Sequence, residues 1–458
     1  MKIIILGAGQ VGSTLVEHLL SERNDITLID TNAAKLKQVS EKFDLRTIHG
    51  NATYPEILEQ ADAENADMLI AVTATDEINM LACQIAHYLF KTPIKIARVR
   101  APEYMEYPQL FNTKALAIDV LINPEHLLIH YIQRLIEYPG ALQVLDFANG
   151  HIELVSLQAL KGAPLIGHPL SLLHVHMPSV EARIVALSRG GKSITPSPDT
   201  VVEADDEVYF IAAKNNVREV NSELRGIDKP NRTIMIAGGG NIGLGLAQVL
   251  ESRYQVKVIN RSAKRCRMIA ERLHKSIVLQ GNAADENLLL NENIDNVDVF
   301  CALTNDDEAN IMSATLAKRM GARKVIALIN RKAYVNLIQS REIDIVVSPQ
   351  LATISDLLRY VRRGDIVQVH SLRLGTAEAL EAIAHGNAEN SKVVGRTIAE
   401  LNLPPGTLVG AIVRTGKVLI ATLDMIIETE DHIILFVPDK RDILQIERLF
   451  QVGLTFFK

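Results

Sequence analysis

Ile3-Ile4-Ile5-Leu6-Gly7-Ala8-Gly9-Gln10-Val11-Gly12 opens the chain almost at its first residue. Four apolar residues, three of them β-branched, favour a buried strand, and the spaced glycines favour a tight turn into a helix. In that context Gly7 permits the turn, Gly9 lets the backbone approach a diphosphate, and Gly12 allows the helix to pack closely. The phosphates of a dinucleotide would then sit at the helix amino terminus. Asp30 ends the next apolar run, 18 residues beyond Gly12, where a carboxylate accepts hydrogen bonds from an adenosine ribose. The same acid repels a 2′-phosphate, so NAD or ATP is expected here over NADP.

The pattern recurs. Gly238-Gly239-Gly240-Asn241-Ile242-Gly243 repeats the first loop, and Gln280-Gly281-Asn282-Ala283 repeats His49-Gly50-Asn51-Ala52. Asp67, Ala71, Thr73, Asp76, Glu77 and Asn79 meet Asp298, Ala302, Thr304, Asp307, Glu308 and Asn310 at a constant offset of 231. A duplication accounts for that register. Within the first copy, apolar runs at 3–6, 26–29, 47–48, 68–72, 94–99 and 117–122 alternate with helical stretches, which is the rhythm of a parallel, doubly wound sheet. Asn123-Pro124-Glu125 and Ser348-Pro349-Gln350 each open an amphipathic arm helix, reaching about Tyr138 and Arg363. Their apolar faces suit docking on another subunit. Each arm leads into a short α/β segment with a glycine turn, Gly190-Gly191 in one and Gly416 in the other. The polar stretch from Arg225 to Asn231 is the joint between the halves.

Ligands of such sheets lie beyond the carboxyl ends of the strands. Asn51 and Ala52 follow strand three, Thr73 and Ala74 follow strand four, and Arg98 and Arg100 stand two apart on strand five. Two residues apart on a strand point the same way, so these arginines suit a phosphate clamp. Thr73 with Asp76 and Glu77 resembles a helix cap with acids in the first turn. In the second copy Asn260 takes the place of Asp30 and Arg261 follows it, while Leu328 and Asn330 replace Arg98 and Arg100. NAD is expected to bind more weakly there, and Arg261 either favours a phosphate-rich ligand or pairs with a neighbouring acid.

Composition narrows the rest. The 458 residues suit three or four domains, and a net charge of −6 without a basic run offers nucleic acid no footprint. The longest apolar runs, 68–74 and 120–122, fall far short of the roughly 18 residues that cross a bilayer. With no signal peptide at the start, the expected compartment is the cytoplasm. Cys83, Cys266 and Cys301 share no metal or redox spacing and read as buried packing residues. His168, His174 and His176 form the one local histidine cluster, and nothing matches them in the second copy, so no metal site is expected. No catalytic constellation accompanies the glycine loops, which argues against an enzyme. The rival reading is a soluble NAD-dependent oxidoreductase with a duplicated Rossmann domain.

The glycine loops, Gly50-Asn51-Ala52, Thr73 with Asp76-Glu77-Ile78-Asn79, the run Ala97-Arg98-Val99-Arg100-Ala101-Pro102-Glu103-Tyr104 and the duplicated small segments together resemble the TrkA family, regulators of Trk-type potassium uptake. The resemblance spans the whole chain. It implies two tandem RCK units: Rossmann domains at 1–122 and 232–347, crossover helices at 123–140 and 348–364, and carboxyl-terminal modules at 141–225 and 365–458. It further implies NAD(H), and ATP or ADP, as ligands. The partners it implies are a potassium-translocating membrane subunit and further copies of the chain in a ring, expected to be a tetramer, on the cytoplasmic face of the inner membrane. Carried over by position, Gly7 to Val11, Asp30, Thr73, Ala74 and Arg98 contact the first nucleotide, and Gly238 to Ile242 with Thr304 the second. Asn260 departs from the acid common in the family.

Overall fold

The computed structural model describes residues 1–21, 24–112, 115–226, 229–331, 334, 342–361, 366–373 and 377–452. The opening apolar run forms β1 (Lys2–Leu6), followed by β2 (Asp25–Asp30), β3 (Arg46–His49), β4 (Met68–Ala71), β5 (Ile94–Arg98) and β6 (Val120–Ile122). All six are parallel in the order β3-β2-β1-β4-β5-β6. Helices cover both faces of such a sheet, which explains the near-continuous apolar runs. Ile3 to Leu6 and Met68 to Ala71 are all at most 2% exposed. The run predicted from Ala117 pairs only from Val120 onward.

Five antiparallel strands follow: β7 (Ala141–Phe147), β8 (Ile152–Gln158), β9 (Ala182–Arg189), β10 (Lys192–Ile194) and β11 (Glu207–Ala213). Their order is β10-β9-β11-β8-β7. The second half repeats both sheets. Its parallel sheet holds β12 (Thr233–Ala237), β13 (Gln255–Asn260), β14 (Ile277–Gln280), β15 (Val299–Ala302), β16 (Lys324–Leu328) and β17 (Ile345–Val347), in the order β14-β13-β12-β15-β16-β17. Its antiparallel sheet holds β18 (Ile366–Ser371), β19 (Glu378–Ile383), β20 (Leu408–Arg414), β21 (Lys417–Ile420) and β22 (His432–Val437), in the order β18-β19-β22-β20-β21. Read from the other edge, that is the order of the first module. The predicted glycine turns close equivalent hairpins, with φ of +56° and +81° at Gly190 and Gly191 and +79° at Gly416.

The chain divides into two compact units, Met1–Leu128 with Ser348–Leu357, and Ile129–Val347 with Leu358–Lys458. This division corrects the docking expected of the arm helices. In the helix Pro349–Val361, Ile354 and Leu357 are buried, and its first turns belong to the unit built on the first sheet. In the helix Pro124–Glu137, Ile132, Leu135 and Ile136 are buried at 0–1% exposure, and residues 129–137 belong to the unit of the second sheet. There Ile129 approaches Gly245, the Ile136 carbonyl accepts the Asn231 amide at 2.6 Å, and the Leu135 carbonyl accepts Lys324 Nζ at 2.9 Å. Part of each apolar face is thus buried within this chain, while Leu351 of the second arm stays exposed. The sequence stretch 362–365, where the second arm was expected to end, lies outside the described residues.

Within the second unit the two antiparallel modules share one core. Phe147, Leu154, Val185 and Ile211 of the first cluster with Ala379, Ala411, Ile434 and Phe436 of the second. Polar ties reinforce it: Arg183 Nη1 donates to the carbonyls of Val409 and Ala421 at 3.1 and 2.8 Å, and the buried Glu381 carboxylate accepts the Ala148 N–H at 2.7 Å. Ala148 and Asn149 have φ of +50° and +54°, so the carboxylate pins a turn that side chains rarely adopt. No helix among the described residues is long and apolar enough to cross a membrane.

Candidate nucleotide sites

The first glycine loop joins β1 to the helix Gln10–Ser21. Gly7 has φ +107°, and a Cβ at Gly12 would stand 1.9 Å from the Gly7 carbonyl, so both positions require glycine. Nothing lies within 4 Å of where a Gly9 Cβ would be, which leaves the backbone there open to a ligand. Asp30, at the end of β2, closes the loop from below: its carboxylate accepts the Ala8 N–H at 2.6 Å and the Asn32 N–H at 2.7 Å. Those bonds fix the carboxylate and leave lone pairs for ribose hydroxyls. Val11 is buried and Gln10 exposed, with the Gln10 side chain accepting from Gln350 at the start of the second arm helix.

Beyond β4, Thr73 is held by a residue that was read only as part of the repeat. Asn79 is fully buried, and its Oδ1 accepts from the Thr73 N–H and hydroxyl at 2.9 and 2.7 Å, while its amide donates to the carbonyls of Thr73 and Arg98 at 3.3 and 2.8 Å. The cap expected of Thr73 is corrected: the helix Asp76–Ile85 is preceded by Thr75, and Thr73 is instead held by Asn79, whose amide bridges the ends of β4 and β5. Asp76 is a structural acid, 8% exposed, accepting the N–H groups of Arg100 and Ala101 at 2.8 and 2.9 Å. Glu77 accepts the Tyr104 hydroxyl.

Arg98 and Arg100 turn the same way, as their spacing requires. Arg98 Nη2 donates to the Thr73 carbonyl at 2.7 Å, and Arg100 Nη2 donates to the carbonyl of Ala74. The buried Nε of Arg98 has no protein partner, nor has Oε2 of Glu125, from the first turn of the first arm helix. Burial lowers the Arg98 pKa, helped by Arg100, and burial raises that of Glu125. Glu125 was not a sequence candidate. Its place follows only from the β6 turn, which swings the arm helix to the strand ends. Asn51 is engaged in its own turn, accepting the N–H and hydroxyl of Thr53, and Ala52 is buried in the core. Their side chains serve the loop.

The second copy keeps the frame and changes the chemistry. Gly238 has φ +112°, a Gly243 Cβ would stand 1.9 Å from the Gly238 carbonyl, and Gly240 is open. The buried Asn310 holds Thr304 as Asn79 holds Thr73, its Oδ1 accepting at 2.9 and 2.6 Å. Asn241 is exposed and Ile242 half-buried at the helix start. Asn260 turns its Oδ1 to the Ser262 N–H at 2.9 Å. Arg261 finds an amide where an acid was one expectation: its Nε and Nη2 donate to Asn282 Oδ1 at 3.2 and 2.8 Å. Arg265 Nε donates to the carbonyl of Gly239 at 2.6 Å, a contact that the residue's position 26 beyond the loop gave no sign of.

The remaining candidates are inert. Cys83 and Cys301 are buried and burial raises both thiols, Cys301 to about 12, whereas Cys266 is half-buried rather than fully packed. His176 Nδ1 meets Glu223 Oε2 at 3.0 Å, and no group of three potential metal ligands occurs among the described residues.

Parallel Rossmann sheets alternate with antiparallel modules, and the pair occurs twice along the chain. Its fold matches the solved structures described as the GsuK RCK domain (TM-score 0.61, 19% identity, 98% of this chain and 94% of that one) and as the GsuK channel bound to NAD (0.61, 19%, 98% and 78%). The TrkA-N domain matches residues 3–124 and 234–349, and the TrkA-C domain residues 154–225 and 388–451. The Trk system potassium uptake protein TrkA of Halomonas elongata is 58% identical over the full length of both chains, and that of Vibrio alginolyticus is 55% identical over 98% of this chain and 99% of its own. The chain belongs to the TrkA family. Those relatives carry the name of a potassium uptake protein, not of an enzyme.

Proposed function

We propose that this chain regulates a Trk-type potassium uptake system by binding NAD(H), ATP or ADP at its first glycine loop. Family membership supports the potassium system. The nucleotide reading rests on one observation above the others: Asp30 is locked beneath an open Gly9, the arrangement that receives a ribose and a diphosphate together. Arg98, resting on the Thr73 carbonyl, and Arg100, resting on the Ala74 carbonyl and 3.7 Å from Asp76 Oδ1, turn toward phosphate oxygens when a ligand enters. Gln10 and Glu125 couple this pocket to both arm helices.

Regulation then requires only that a ligand bind one conformation more tightly than another. The protein acts as a ring, a tetramer, on the cytoplasmic face of the inner membrane against a potassium-translocating subunit, with the six-part division given above. The test is calorimetric titration of the intact protein with NADH, ATP and ADP, with the mass of the assembly measured alongside. Saturable binding without NADH consumption, and recovery with a potassium-translocating membrane subunit, are expected. Absence of binding by all three, or steady NADH turnover, overturns the proposal.

A further inference from the structure

The geometry points to the second glycine loop as a site for a 2′-phosphorylated adenine nucleotide, of which NADPH is the complete form. This rests on reading both glycine loops as nucleotide sites. What differs is the ribose end. In the first copy that end is acidic: the Asp30 carboxylate faces the loop, and Thr31 follows it. A dianionic phosphate brought against it would meet like charge, and the position matching Arg265 holds an exposed lysine, Lys35, in place of a guanidinium.

In the second copy the acid is gone and two guanidiniums replace it. Arg261 lies immediately after β13, on Asn282, and Arg265 lies one turn into the helix Ala263–Arg272, on the Gly239 carbonyl. The two therefore flank the end of β13 and the glycine turn, where the adenosine ribose of a Rossmann ligand lies. Neither forms an ion pair among the described residues, and both rest on neutral oxygens. Such contacts are cheap to exchange for a phosphate, with which a guanidinium makes two parallel charge-assisted bonds. Ser262 adds a hydroxyl between them, already turned to the helix start, where it accepts the Arg265 N–H. Asn260 is neutral and does not oppose the added charge. A structural role for the arginines is met equally well by lysine or glutamine, whereas a bidentate phosphate site is not.

The test uses the intact chain. With the first site saturated by NADH, titration with NADPH should show one further site per chain, at least tenfold tighter for NADPH than for added NADH. Adenosine 2′,5′-bisphosphate should compete for it, and adenosine 3′,5′-bisphosphate should not. Arg261→Gln and Arg265→Gln should each erase most of that preference without lowering the thermal midpoint of the unliganded protein. The inference fails if NADPH only displaces NADH one for one, if the two bisphosphates compete equally, or if the double variant keeps the preference. Binding of NADPH with no binding of NADH would instead sink the reading of the first site and leave this one standing.

Discussion

In the proposed function a single carboxylate, Asp30, sets what the first loop accepts. Asp30 spends one oxygen on Ala8 and one on Asn32, so it is oriented before any ligand arrives. Hydrogen bonds to a charged group contribute about 1.5–3 kcal/mol each, so Asp30→Ala should weaken NADH binding roughly tenfold to a hundredfold in a calorimetric titration. An unchanged affinity would remove the ribose from this position. At the opposite end, the proposed function makes Arg98 and Arg100 the cations that register a γ-phosphate. Replacing both with alanine should bring the affinities for ATP and ADP together, and a difference as large as in the unaltered protein would place the sensor elsewhere. Their positions were legible because these follow from sequence-local rules: an acid at a strand end and a period of two along a strand. Asn79, Glu125 and Arg265 were not, since each acts on a backbone group 6 to 26 residues away or through a turn between elements. A buried asparagine and a packing residue look alike in sequence until the carbonyls they face are known.

Strands and helices themselves were readable, and so was their repetition in two Rossmann sheets, because apolar runs and glycine turns carry a period. What the period does not carry is the partner. The arm helix Pro124–Glu137 shows its apolar stripe plainly, yet its last turns are held by Lys324 of β16, whose Nζ donates to the carbonyls of Leu135 and Ala141 at 2.9 and 2.6 Å. Lys324 is 8% exposed, and burial depresses its pKa to about 7, against the attraction of Asp344. The unfolded chain keeps this amine protonated up to the usual lysine range, so between about pH 7 and 10 it binds more protons than the folded chain. Stability contributed at this position therefore rises with pH in that window, by up to about 1.4 kcal/mol per unit. Urea unfolding at pH 6.5 and 9 should show the unaltered protein gaining on Lys324→Met at the higher pH. A gain at the lower pH would mean that the amine is charged in the fold.

At the scale of the molecule, the modules that follow the two Rossmann sheets are joined by a shared core, beside which the second module keeps a core of its own. Residues such as Phe147, Ile211, Ile434 and Phe436 are each at most 4% exposed, and burying a side chain of this size contributes about 1.5–3 kcal/mol. A fragment ending at residue 225 would leave its share of that surface open to water, so it should self-associate or aggregate in light scattering. A monomeric fragment melting with the full chain would show that the shared core contributes little. The duplication was evident in the sequence, but a repeat can build two independent bodies or one, and only side chains meeting across the modules distinguish them.

The arm helices, each divided between the two compact units, carry the same point into the handling of the chain. A protease cut in the joint between Arg225 and Asn231 would give two pieces, and neither would contain all of either compact unit, since residues 348–357 lie in the second piece and 129–225 in the first. The nicked protein should behave as a complemented pair that holds together until denatured. The covalent joint is then dispensable for cohesion.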